Sequence, residues 1–264
     1  MSSEVDKNND EKQPFFPEMN FLDHLGELRK RIIVSLIAVI LCSTIAGIFI
    51  NFIMENILLK PAFNANLPLQ NLVPFGQPFL YFKTILVCGI ILAVPIILYQ
   101  IWLFIAPGLY EKEKKWAGKI TLYTSLCFFC GVAFSYFIMI PSMLSFANKF
   151  GTEIIKNSID INAYFGFFVM ILLASGVMFE MPMISYVLSK FGIINSSFLR
   201  KYRRHSIIVI LIFAAVLTPT PDPITQAIFS APLLILYEIS ILISKYANTN
   251  NNETIKSKSS QNEN

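Results

Sequence analysis

Long apolar runs separated by short polar segments dominate this chain. A spanning helix needs about 20 largely apolar residues, because the hydrocarbon core of a bilayer is about 30 Å thick. Ile32–Phe52, Thr84–Ala106 (with Pro95 inside), Ile120–Phe146 and Ala163–Leu188 (with Glu180 inside) meet that requirement. The run Ser206–Leu217 is shorter: twelve residues at 1.5 Å each give roughly 18 Å of helix. Thr218-Pro219-Thr220-Pro221-Asp222-Pro223 follows, and so many prolines exclude helix interior. A sixth run, Ile224–Ser244, closes the series. The pattern predicts an all-α, polytopic membrane protein with six transmembrane helices, the fifth and sixth short or joined by a tight Pro-rich bend. The connection 53–83 holds Pro61, Pro68, Pro74 and Pro78, which predicts short interfacial pieces rather than one long helix.

Composition agrees. Of 264 residues, 55% are hydrophobic and only 14% charged, against about 25% charged in a soluble domain. Mean hydropathy is +0.59. One soluble core does not need so much apolar surface, so the surplus must face lipid. No basic cluster resembles a nucleic-acid module.

The basic residues orient the helices. Lys7, Lys12, Arg29, Lys30 and Arg31 precede the first run, and Lys112, Lys114, Lys115 and Lys119 follow the second. Lys190, Arg200, Lys201, Arg203 and Arg204 follow the fourth, and Lys245, Lys256 and Lys258 follow the last. The alternate segments hold only Lys60, Lys83, Lys149 and Lys156. Basic loops stay in the cytoplasm, so both ends are expected inside. Five spans would leave the tail lysines on the wrong side. Residues 1–17 are polar and lack the pattern of a secretory signal. They read as a disordered cytoplasmic tail, 18–246 as the membrane domain, and 247–264 as a second disordered tail.

Polar groups in or near the membrane are where function is sought. Phe21–Arg31 reads as an amphipathic stub on the inner surface, where Glu27 is an i,i+4 partner for Arg31 or a functional carboxylate. Glu113 stands among lysines after Pro107-Gly108, as a solvated ion-pair partner or something more. Trp102 and Tyr110 sit where an aromatic belt is expected. Glu180 is a carboxylate inside a span and must be protonated, hydrogen-bonded or beside a wet cavity. Asp222 caps the sixth helix or acts at the bend with Gln226. Glu238 reads as structural. Cys127 and Cys130 have C-x-x-C spacing but no His or charge nearby, and read as packing residues.

No nucleophile–base set, metal-ligand motif or phosphate loop is present in the sequence, which disfavours a membrane enzyme. The isolated carboxylates Glu180 and Asp222 leave an ion-coupled small-solute transporter open. That reading lacks paired broken helices and a visible inverted repeat.

Four motifs carry a resemblance. His24-Leu25-Gly26-Glu27-Leu28-Arg29-Lys30-Arg31 is similar to the H-L-x-E-L-R-x-R start of the TatC family. Leu92–Tyr110, with Glu113, resembles that family's hallmark. Phe179-Glu180-Met181-Pro182 matches its F-E-x-P, and Leu217–Gln226 resembles its L-T-P-P-D-x-x-S/T-Q bend, with one extra residue between the prolines and Thr225 where Ser is common. The order and spacing agree over roughly residues 20–246.

The resemblance implies a core receptor subunit of the twin-arginine protein translocase. It would bind twin-arginine signal peptides at the cytoplasmic face of a bacterial inner membrane, or of an organelle of bacterial ancestry. It maps recognition carboxylates onto Glu27 and Glu113, with Phe104 and Pro107 walling off water. It places Glu180, with the bend residues Asp222 and Gln226, toward lipid and single-span partners, TatA and TatB. It implies self-association and proton-motive-force-driven transport of folded precursors, with no cofactor in the complex. Arginine suits such a site because its planar fork matches a carboxylate with two parallel hydrogen bonds.

Overall fold

The apolar runs fold as helices, and the fourth of them breaks at a buried acid followed by a proline. The computed structural model describes residues 21–105, 117–149, 158–190, 193–217 and 223–261. Helix α1 is Phe21–Ile48. The stub expected before the first span is therefore the first three turns of one continuous helix. Short pieces follow: α2 (Ile50–Ile53), a π turn (Met54–Leu58), α3 (Lys60–Asn64) and the two-residue strand β1 (Leu69–Gln70). Helix α4 is Gly76–Ile105 and carries Pro95 inside it. It begins eight residues before Thr84, the start read from hydropathy.

Helix α5 (Ala117–Phe134) runs through a π turn (Ser135–Met139) into α6 (Ile140–Asn148). Pro141 lacks an N–H, and the π turn lies just ahead of it, where the regular bonding pattern must shift. Strand β2 (Ile159–Asp160) leads into α7 (Ile161–Met178). The fourth apolar run is not one helix. It breaks after α7 and resumes as α8 (Met181–Lys190), because Pro182 cannot supply the bond back to Met178. Helix α9 (Ser196–Lys201) precedes α10 (Arg203–Leu217), and α11 is Pro223–Gln261. The helical backbone of α11 continues over the polar stretch assigned to the second tail; its apolar part is Gln226–Tyr246.

Among the described residues, five stretches are long and apolar enough to cross a bilayer: His24–Ile48, Gly76–Ile105, Gly118–Asn148, Ile161–Lys190 and Gln226–Tyr246. Helix α10 has 15 residues, or about 22 Å, short of the roughly 30 Å hydrocarbon core. Side chains such as Leu36, Ile40, Phe82, Leu122 and Phe137 lie exposed on these helices. That is the expected outside of a protein dissolved in lipid.

The helices touch where side chains are smallest. Helices α1 and α4 pack closely, with Gly89 set directly on Ser43. At the α5–α7 crossing, a methyl added at Gly131 would lie 2.6 Å from the Ser175 carbonyl oxygen, and one added at Gly176 would lie 2.5 Å from the Phe128 ring. Without a hydrophobic drive between helices in lipid, such close backbone approach is what holds a bundle together. The Ser175 hydroxyl adds a 2.8 Å bond to the Gly131 carbonyl.

The end of the bundle away from Glu27 is tied by polar groups. Tyr164 donates to the Leu58 carbonyl at 2.7 Å, and Asn148 donates to that of Ala65 at 3.0 Å. Parallel strands β1 and β2 pair Leu69 with Ile159 and Gln70 with Asp160. Asp160 then caps α7 through the Ala163 N–H. Beneath this cap lies the main core, including Met54, Leu80, Ile140, Phe168 and Phe229. A smaller core of Ile210, Leu233, Tyr237 and Ile241 joins α10 to α11.

Candidate functional site

The first turns of α1 meet the last turns of α4. Glu27 and Arg31 are one helical turn apart, so their side chains share a face. The Arg31 Nη2 donates to Glu27 Oε1 at 2.9 Å, with side-chain exposures of 25% for Arg31 and 21% for Glu27. Arg31 Nη1 also donates to Gln100 Oε1 on α4 at 3.2 Å. Gln100 is 9% exposed, which fixes the guanidinium to the buried side of the junction. Arg31 Nε is buried without a partner among the described residues. One turn before Glu27, the His24 ring stacks on Phe104 with centroids 4.4 Å apart and planes 20° apart.

The structure thus joins Glu27 and Phe104, two expected site residues, to one junction. Glu113 and Pro107 lie outside the described residues, as does Tyr110. Trp102 is buried, not part of a lipid-facing belt. His24 and Gln100 were not expected at this site. Their signal was available for α1: His24, Glu27 and Arg31 follow i, i+3, i+7 spacing, which puts them on one stripe. Nothing in the sequence pointed to Gln100, because its partner is 69 positions away.

Glu180 sits in the joint between α7 and α8, well away in sequence from this junction. It is 8% exposed, and its Oε1 is buried with no hydrogen-bond partner among the described residues. Its backbone carbonyl accepts from the N–H groups of Met183 and Ile184, at 3.0 and 2.9 Å. That carbonyl therefore starts α8, and the side chain is left free to serve something else.

The bend residue Asp222 lies outside the described residues. Gln226 donates to the Leu211 carbonyl at 3.1 Å, tying α11 to α10. Glu238, expected as structural, takes a two-pronged ion pair from Arg203: Nε to Oε1 at 2.6 Å, and Nη2 to Oε2. Tyr237 beside it donates to the Leu199 carbonyl at 2.8 Å. Both bonds strap α9 and α10 to α11. All four cysteines are free thiols, and no His/Cys/Asp/Glu group among the described residues could hold a metal ion.

Comparison with known proteins adds to this geometry. The family model for Sec-independent protein translocase protein (TatC) matches residues 23–232. The Sec-independent protein translocase protein TatC of Carboxydothermus hydrogenoformans is 39% identical over 228 residues, covering 86% of this chain and 93% of that protein. TatCy of Bacillus subtilis is 37% identical over 240 residues, covering 87% and 90%. The crystal structure of a twin-arginine translocase receptor, TatC, superposes with a TM-score of 0.71 at 38% identity, over 85% of this chain and 99% of that one.

Proposed function

Because the chain belongs to the TatC family of Sec-independent protein translocase proteins, a family of membrane transport components, we propose that it is the receptor core of a twin-arginine translocase. It reads the signal peptide at the junction of α1 and α4. The observation that carries this reading is the partly buried Glu27 carboxylate, held at a junction fixed by Arg31 and Gln100 and flanked by the His24–Phe104 stack. One carboxylate so placed takes one guanidinium; Glu113, ten residues past α4's last-turn Leu103, supplies the second in this proposal, with Pro107 beside it. A partly shielded, charge-assisted hydrogen bond contributes roughly 1.5–3 kcal/mol. Lysine, a point charge without the fork, fits less well.

The receptor crosses a bacterial inner membrane six times with both ends inside, α10 being the short crossing. The polar segments 1–17 and 247–264 are its cytoplasmic tails. Glu180 and the bend at Asp222 and Gln226 face the single-span subunits TatA and TatB, and the receptor self-associates. It carries out no covalent chemistry and uses no cofactor; its work is recognition and passage, driven by the proton-motive force. The unpartnered, buried Glu180 oxygen supports the assignment to partners, since such a group is costly until something binds it.

The test is binding of a twin-arginine signal peptide to the purified chain in lipid nanodiscs. Glu27→Ala and Glu113→Ala are each expected to weaken it tenfold or more, and site-specific cross-linking from position 113 is expected to vanish when the arginine pair is replaced. Unchanged affinity in both variants overturns the site.

A further inference from the structure

We propose that Arg31 is an internal competitor for the recognition carboxylate, holding Glu27 as a stand-in for a signal-peptide arginine until the peptide displaces it. The inference rests on the reading of Glu27 given above. It arises from three contacts. Arg31 Nη2 occupies Glu27 Oε1. Its Nη1 is held by Gln100 from the neighbouring helix. Its Nε stays buried and without a partner among the described residues.

The geometry explains why this pairing is provisional. A bidentate arginine–carboxylate contact uses both carboxylate oxygens. Arg31 uses one, because Gln100 draws the other end of its fork toward α4. Among the described residues Glu27 Oε2 is therefore left open to an incoming guanidinium, which gains its second bond only by taking Oε1 from Arg31. The intramolecular pair is only partly buried, with exposures of 25% and 21%, and of the weak i,i+4 kind, so it yields to a better-formed fork. Arg31 keeps its Gln100 contact on release and needs no large movement.

This arrangement has a consequence for selectivity. A lysine ammonium makes no fork and can rest on Oε2, so the pair hinders it less. An arginine completes its two parallel bonds only after taking Oε1. Arg31 thus lowers the affinity for a forked arginine most, and the fork's second bond offsets that loss. Merely supporting Glu27 in place would have the opposite effect, since loss of a support weakens binding.

The experiment measures affinity and association rate of a fluorescent peptide with an Arg-Arg pair, and of its Lys-Lys counterpart. The full chain in nanodiscs is used as wild type, Glu27→Ala, Arg31→Gln and Gln100→Leu. Arg31→Gln is expected to bind the Arg-Arg peptide about two- to five-fold tighter, the range such an ion pair is worth. The Lys-Lys peptide should gain less, so the preference ratio rises. Association should quicken and depend more steeply on ionic strength, because the carboxylate is no longer neutralised. Gln100→Leu frees Arg31 to close its own fork on Glu27 and is expected to weaken binding; it serves as the deciding variant should Arg31→Gln not fold. Arg31→Gln binding that is unchanged or weaker, with Glu27→Ala binding lost, overturns the competitor while leaving the recognition site standing. Unchanged binding by Glu27→Ala overturns both. If only Gln100→Leu is folded, unchanged or tighter binding by it overturns the competitor.

Discussion

Replacing Gly89 by alanine tests whether backbone contact, and not side-chain packing, joins α1 to α4. A methyl there falls on the Ser43 hydroxyl and comes within 2.7 Å of Ser43 Cα. Carbon–carbon contact is comfortable at about 3.5–4.0 Å. The hydroxyl can rotate away, but the Cα cannot, so the helices must part by roughly 1 Å at that level. Overpacking of this kind costs about 1–3 kcal/mol. Alanine recovers about 1 kcal/mol through helix propensity. The net expectation is destabilisation of up to about 2 kcal/mol. Gly166, in α7, has nothing within 4 Å of an added methyl, so Gly166→Ala is expected to leave stability unchanged or raised. The assay is thermal unfolding of the purified chain in detergent, followed by size-exclusion of the surviving fraction. Adding Ser43→Gly to Gly89→Ala should restore only part of the loss, because Ser43 Cα stays in the way. A Gly89→Ala chain that melts at or above the wild type refutes the reasoning, as does an equal fall in Gly166→Ala.

Other expectations follow from buried polar groups. Ser189 donates to Ser244 at 2.7 Å between α8 and α11, both fully buried. Ser189→Ala should cost on the order of 0.5–2 kcal/mol in a thermal scan, and adding Ser244→Ala should cost less than the sum, as a double-mutant cycle would record. Glu180→Leu removes a buried oxygen with no partner and should stabilise the isolated chain by about 1–3 kcal/mol. The same change should abolish co-purification with single-span partners; loss of both stability and partners would instead make Glu180 a structural residue. Tyr164→Phe deletes the 2.7 Å bond to Leu58 and should lower the melting temperature by the equivalent of about 1 kcal/mol, with peptide binding unaffected.

Hydropathy determined by itself that this is a bundle of membrane helices, because lipid demands long apolar runs and leaves no alternative way to satisfy the backbone. It also located the prolines that break them, since proline's missing donor acts locally. The Glu27–Arg31 pair was legible for the same reason: i,i+4 neighbours on a helix are set by sequence spacing alone. The resemblance carried by the four motifs pointed to the TatC family, which the relatives then established.

What only the tertiary structure decided are contacts between residues far apart in the chain. The stub before the first span is continuous with α1, because the turn that carries Glu27 packs on α4 and has no reason to lie flat on a surface. The fourth run divides at Glu180, placing that acid at a joint and not along a helix face. Arg31 reaches Gln100, and His24 reaches Phe104, only because Gly89 and Ser43 let the two backbones approach. Spacing along one helix fixes which side chains share a stripe. Which stripe meets which is fixed by where small residues allow two helices to touch, and no periodicity in either helix states that.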